Sequence, residues 1–120
     1  MLQTVQSRGR APCIVATRFV AGSNSLIGMN RFERTCMIDL DGVNLPAMGE
    51  LLAETSSALQ AAGVPFTMHW GKWIGYLTRG YVESVYGERA ARWRSARARF
   101  LPDPQLAHTF SNELLAGLLL

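Results

Sequence analysis

Cys13-Ile14-Val15-Ala16-Thr17-Arg18-Phe19-Val20 is the stretch that decides the fold, because its residues alternate, imperfectly, as those of a strand do. A pleated segment here puts Cys13, Val15, Thr17 and Phe19 on one face and Ile14, Ala16, Arg18 and Val20 on the other. Gly22-Ser23-Asn24-Ser25 follows with the residue types of a turn. Thr35 to Leu40 then predicts a second strand, with Cys36, Ile38 and Leu40 inward and Met37 and Asp39 outward, ended by Asp41-Gly42. Residues 47–62 predict the clearest helix: Met48, Leu51, Leu52, Leu59 and Ala62 recur at three- and four-residue spacing. Pro46 suits its first turn and Gly63 its end, and Pro65 prevents continuation. A third strand is expected over Phe66–Trp70, short helical turns over Trp73–Gly87, and a last helix over Glu88–Leu101, stopped by Pro102 and Pro104. The expected class is α+β: a small antiparallel sheet in β-β-α-β-α order with helices packed on one face. Three strands, an apolar segment at Phe110–Leu120 and several aromatics leave more apolar surface than a free-standing domain usually tolerates.

With 120 residues the chain is in the size range of one domain. A hydrophobic share of 48% against 18% charged residues describes a globular chain rather than a disordered one. Net charge is +3, unevenly placed: the first acidic residue is Glu33, so residues 1–32 carry basic charge only. An acid-free, arginine-containing start has the composition of a transit peptide, but it soon turns into the strand pattern, and residues 1–11 read as a flexible lead. No secretory signal is visible, because Arg8, Arg10 and Arg18 interrupt any apolar run, and a cytoplasmic protein is expected. The apolar stretch Leu114–Leu120 is too short to cross a bilayer, and membrane association is not indicated. Cys13 and Cys36 lack metal-ligand spacing, so no metal is expected. Two readings stay open for them: buried, reduced thiols, or a cross-strand disulfide.

His69-Trp70-Gly71-Lys72 carries the strongest chemical signal. Lys72 is the sole lysine, and the other eleven of the twelve basic residues are arginines. Lysine is a compact point charge whose protonation responds to a closed site, unlike the permanently charged arginine fork. With Trp70 and Trp73 around it, Lys72 reads either as the cation of a lined pocket or as a solvated residue after a half-buried strand. On an unbroken strand His69 would point away from Trp70 and Lys72, so both face one site only if Gly71 bulges or the strand ends there. Arg18 shares its face with aliphatic residues and reads as paired to a carboxylate or ligand, or as snorkelling to water. On the helix over 88–101, Trp93, Ala96 and Phe100 form an apolar arc, flanked by Arg92 and Arg99 on one side and Arg94 and Arg97 on the other. That is not a single basic face, which argues against nucleic-acid binding.

Taken together with Leu101-Pro102-Asp103-Pro104 and Phe110-Ser111-Asn112, the His69–Lys72 motif resembles the C-terminal end of FAD-linked sugar-lactone and alditol oxidases. These are the D-arabinono-1,4-lactone oxidase, L-gulonolactone oxidase and alditol oxidase group of the vanillyl-alcohol-oxidase-type flavoproteins. The likeness spans residues 12–115 and includes the register of Arg18-Phe19-Val20. Two departures stand out. The acidic residue that the family places two positions before the strand arginine is Ala16 here, and Gln105 to Thr109 lengthen the spacing between Asp103-Pro104 and Phe110-Ser111-Asn112.

The resemblance implies that residues 12–120 are the C-terminal part of a substrate (cap) domain, with an N-terminal FAD-binding domain or chain as partner. It implies oxidation of a CH–OH group of a small hydroxylated substrate by hydride transfer to flavin. By the same resemblance Lys72 and Arg18 are the catalytic candidates, and His69 and Asn112 the candidates for contact with FAD. Two other readings accompany it: a non-enzymatic basic interaction module using the Arg89–Arg99 helix and the apolar tail, and a catalytically dead remnant, which Ala16 suggests.

Overall fold

The computed structural model describes residues 13–72, 74 and 77–120. The lead expected at 1–11 lies outside them. Strand β1 (Cys13–Ala21) and strand β2 (Arg34–Gly42) form a two-stranded antiparallel sheet. The register runs from Cys13 opposite Gly42 to Ala21 opposite Arg34. Helix α1 spans Pro46–Ala61, α2 Arg79–Tyr86, α3 Glu88–Phe100, α4 Pro104–Thr109 and α5 Glu113–Leu118. Among the described residues the order is therefore β-β followed by five helices, which keeps the α+β class and corrects the expected β-β-α-β-α order. Phe66–Trp70 forms no strand. A strand exists only as one of a hydrogen-bonded pair, and β1 and β2 pair with each other alone in this sheet. Pro65 removes a backbone donor before the segment, and the turn at 69–72 cuts it short.

The chain divides into two compact units. The first holds the hairpin, α1 and the segment through residue 76; the second holds residues 24–29 and 77–120. The expected single layer of helices is thus replaced by α1 in one unit and α2–α5 in the other.

Register sets the character of the sheet. Residues directly opposite share a face, so Cys13, Val15, Thr17 and Phe19 lie with Leu40, Ile38 and Cys36. Phe19 is 83% exposed, and Val15, Ile38 and Cys36 are exposed as well. The face expected to point inward is therefore mostly open, while Thr35 on the other face is buried. Two nine-residue strands have too little sheet to cover both sides. The cysteines lie six residue steps apart along the ladder, Cys13 opposite Gly42 and Cys36 opposite Phe19. That is about 20 Å at the strand rise of about 3.3 Å per residue, far beyond disulfide reach. Both are free thiols, Cys36 exposed and Cys13 half-buried, so the cross-strand disulfide and the fully buried pair are both set aside.

Helix α1 starts at Pro46, whose missing N–H costs nothing in a first turn. It ends in a two-bond cap: Val64 N–H donates to Leu59 O and Gly63 N–H to Gln60 O, each at 3.0 Å. Gly63 takes the positive φ of 65° that this cap requires. The helix buries Met48, Leu51, Thr55 and Ser56, a stripe that includes two hydroxyl residues in place of the expected Leu52, Leu59 and Ala62.

In the second unit α2 contacts both α3 and α5. Val82, Tyr86, Ala90, Leu118 and Leu119 are buried, and the Tyr86 hydroxyl donates to Gly28 O at 3.2 Å. Thr78 caps α2 by accepting from Tyr81 N–H. The Arg94 guanidinium donates to Glu83 at 2.6 Å and to Leu119 O at 3.3 Å, and Arg79 donates to Leu120 O at 3.2 Å. The last leucines are thus held by arginines of α2 and α3. Among the described residues, no helix is long and apolar enough to cross a membrane.

Two outcomes follow for stability. Thr55 Oγ1 is buried without a partner, so Thr55→Val should raise unfolding free energy by about 1 kcal/mol in a denaturant titration. The hydrogen bond from Arg94, then the charges of Arg94 and Arg79, hold the Glu83 carboxyl below its ordinary value against the opposing effect of burial. A lowered folded value stabilises the fold above the unfolded carboxyl's pKa of about 4.3 and is lost as pH falls through the folded value. Glu83→Gln should flatten that acid limb of the stability profile.

Candidate functional site

His69 and Lys72 meet in a tight turn rather than along a strand. Lys72 N–H donates to His69 O at 3.0 Å, the bond that closes a four-residue turn. Within it Gly71 N–H donates to His69 Nδ1, also at 3.0 Å. The imidazole is folded back over its own turn, and glycine at 71 leaves room for it. A Cβ there would stand 3.1 Å from His69 Cε1 and 3.4 Å from Nδ1. Because Nδ1 accepts, the neutral ring is assigned its proton on Nε2. The turn removes the strand geometry that would have sent His69 and Lys72 to opposite sides.

Both side chains are exposed and Trp70 is half-buried. Lys72 therefore does not sit in a pocket closed by the described residues, which corrects the enclosed-pocket reading; Trp73 lies outside those residues. Among the described residues, no ion pair engages Lys72.

Arg18 answers the choice posed by its strand. It projects mid-strand with its side chain 62% exposed, and its guanidinium pairs with Asp39 at 3.3 Å. The register places Asp39 directly opposite Ala16. The position where the resembled family has an acid is thus faced by one from the neighbouring strand. Asp39 is the residue that reading the sequence missed: linear spacing sees Ala16, whereas the cross-strand partner appears only once register is known. At this exposure the pair adds at most about 1 kcal/mol to stability.

The remaining motif residues shape the second unit. Asp103 caps α4, its Oδ1 accepting from Gln105 N–H at 2.7 Å and Leu106 N–H at 3.1 Å. Asn112 caps α5, its Oδ1 accepting from Leu115 N–H at 2.7 Å. The oxygen of Asn112 therefore has one of its two acceptor positions taken by the backbone. Arg97 bridges the stretch: one guanidinium nitrogen donates to Ala107 O at 2.8 Å, Phe110 O at 3.2 Å and Ser111 Oγ at 2.6 Å. With Arg94 and Arg97 turned to internal acceptors, only Arg92 and Arg99 of α3 are exposed. That leaves little of the basic face an interaction helix would need. His108 is exposed at the end of α4 and joins no cluster; among the described residues no group of three His, Cys, Asp or Glu side chains is placed to hold a metal.

No family model matches the chain, and neither a curated protein nor a solved structure matches it significantly.

Arg97→Met should lower unfolding free energy by about 2–3 kcal/mol, the scale of losing charged hydrogen bonds and orphaning their acceptors. Arg97→Lys should recover only part of it in the same titration, since the lysine ammonium ends one bond short of the guanidinium nitrogen that makes all three bonds.

Proposed function

We propose that this chain is the C-terminal substrate-domain part of an FAD-dependent oxidoreductase of the sugar-lactone and alditol oxidase kind, oxidising a CH–OH group of a small hydroxylated substrate. The observation that carries the reading is the 69–72 turn, which holds the sole lysine outward beside a histidine with its Nε2–H free of the turn. The Arg18–Asp39 pair and the open apolar sheet face support it. An exposed apolar face of this kind marks a surface for a partner, here the FAD-binding domain or chain.

A pair of outward donors suits the electron-rich edge of a flavin or the oxygen of a substrate. FAD, when bound, supplies the hydride acceptor for the substrate carbon. The work of this chain is to hold that carbon and balance charge. The Lys72 ammonium stabilises the negative charge that develops on the substrate oxygen as its proton leaves to solvent and the C–O bond becomes a carbonyl. Arg18 donates to a hydroxyl or carbonyl oxygen of the substrate. Asp39, opposite Ala16, accepts from a neighbouring hydroxyl in place of the missing acid. His69 donates through Nε2–H.

The test is co-expression with an FAD-binding domain or chain. It should give yellow protein whose flavin bleaches on adding a hydroxylated substrate, with Lys72→Met slowing the bleaching about a hundredfold. Asp39→Asn should raise KM more than it lowers kcat. Protein that stays colourless, or an unchanged bleaching rate in Lys72→Met, sinks the reading.

A further inference from the structure

We propose that the His69–Lys72 turn is a donor-only site for a compact oxyanion, locked in that state by Gly71. It rests on the reading above only for where a ligand sits; its chemistry follows from the turn itself. An imidazole ordinarily offers one donor and one acceptor, and either nitrogen can take either part. Here the acceptor nitrogen is consumed by Gly71 N–H at 3.0 Å, so what the ring presents outward is Nε2–H. The carbonyl of His69 accepts from Lys72 N–H within the same turn. The ammonium of Lys72, three residues on across the same turn, offers three more donors and no acceptor. Both titratable side chains of the turn therefore ask for lone pairs.

A ligand group that suits this arrangement is an oxygen carrying negative charge: a phosphate, a carboxylate, or the alkoxide forming at a substrate hydroxyl. A group that must itself donate finds no acceptor on either side chain. In the proposed oxidation His69 is accordingly a hydrogen-bond donor to the substrate oxygen and not the base that removes its proton. Gly71 is the positioning residue: its N–H occupies Nδ1, and a Cβ at 71 would stand 3.1 Å from Cε1, so the ring would have to shift by a few tenths of an ångström to keep that bond.

Nitrogen-15 NMR of the full chain tests this without flavin. Nδ1 of His69 should resonate as a pyridine-type nitrogen and Nε2 as a pyrrole-type one. Inorganic phosphate, against sodium chloride at equal ionic strength, should shift the His69 and Lys72 side-chain signals saturably, and neutral glycerol should not. Gly71→Ala should mix the two tautomers and weaken phosphate several-fold, and Lys72→Met should weaken it likewise with Nδ1 still pyridine-type. A pyrrole-type Nδ1 in the parent chain overturns the proposal, as does phosphate affinity unchanged in Lys72→Met. Either result leaves the flavin-bleaching experiment to decide the oxidoreductase reading by itself, and a failure of bleaching leaves this site standing.

Discussion

The antiparallel register between β1 and β2 is the constraint on which the first unit depends. With Cys13 opposite Gly42, every cross-strand neighbour is set. Ala16 then faces Asp39, Arg18 gains a carboxylate, and the two cysteines are kept apart. Shifting the register by one residue would exchange the two faces of one strand relative to the other and undo the first two relations, while the cysteines would stay five or more steps apart. The ladder also determines what remains exposed. A two-stranded sheet has one hydrogen-bonded interface and two outer edges, and Phe19, Val15 and Ile38 are left on a surface that nothing in the described chain covers completely.

The second unit is organised differently, by arginines that face inward to carbonyl oxygens. Arg79 and Arg94 hold the backbone at Leu119 and Leu120, and Arg97 gathers three acceptors around the α4–α5 connection. Helices of six to thirteen residues have little intrinsic stability. Side-chain caps at Thr78, Asp103 and Asn112 satisfy backbone donors that would otherwise be open to solvent. In Arg94 and Arg97 a single terminal nitrogen makes the bonds to oxygen, at the end of a long, permanently charged side chain. The preference for arginine over lysine in this chain thus has a structural source in α2 and α3, and Lys72 stands outside it.

Much of the architecture was legible. Strand alternation located β1 and β2, Asp41-Gly42 marked the end of β2, and Pro46 with Gly63 bounded α1 to within a residue. Pro102 likewise marked the end of α3. What failed did so where tertiary pairing overrides local pattern. Phe66–Trp70 has strand-like residues but follows Pro65 and runs into the turn at 69–72, and the inward face assigned from Cys36, Ile38 and Leu40 proved mostly open because, among the described residues, the sheet has two strands. The site was legible in its residue types, His69, Lys72 and Arg18, but not in its geometry. Asp39 is twenty-one positions from Arg18, a separation that no local motif captures. The roles of Asp103 and Asn112 as caps are local, and their residue types fit those positions.

The separation of Cys13 and Cys36 has a consequence for handling the protein. Because the ladder holds them apart on one face, oxidation within a folded chain has no route to a bridge. Any disulfide formed by folded protein joins two molecules through that apolar face or captures an outside thiol. Cys36, exposed between Arg34 and Ile38 on that side of β2, is then a ready attachment point for a fluorophore or spin label. A label there would register the arrival of any molecule that covers the sheet.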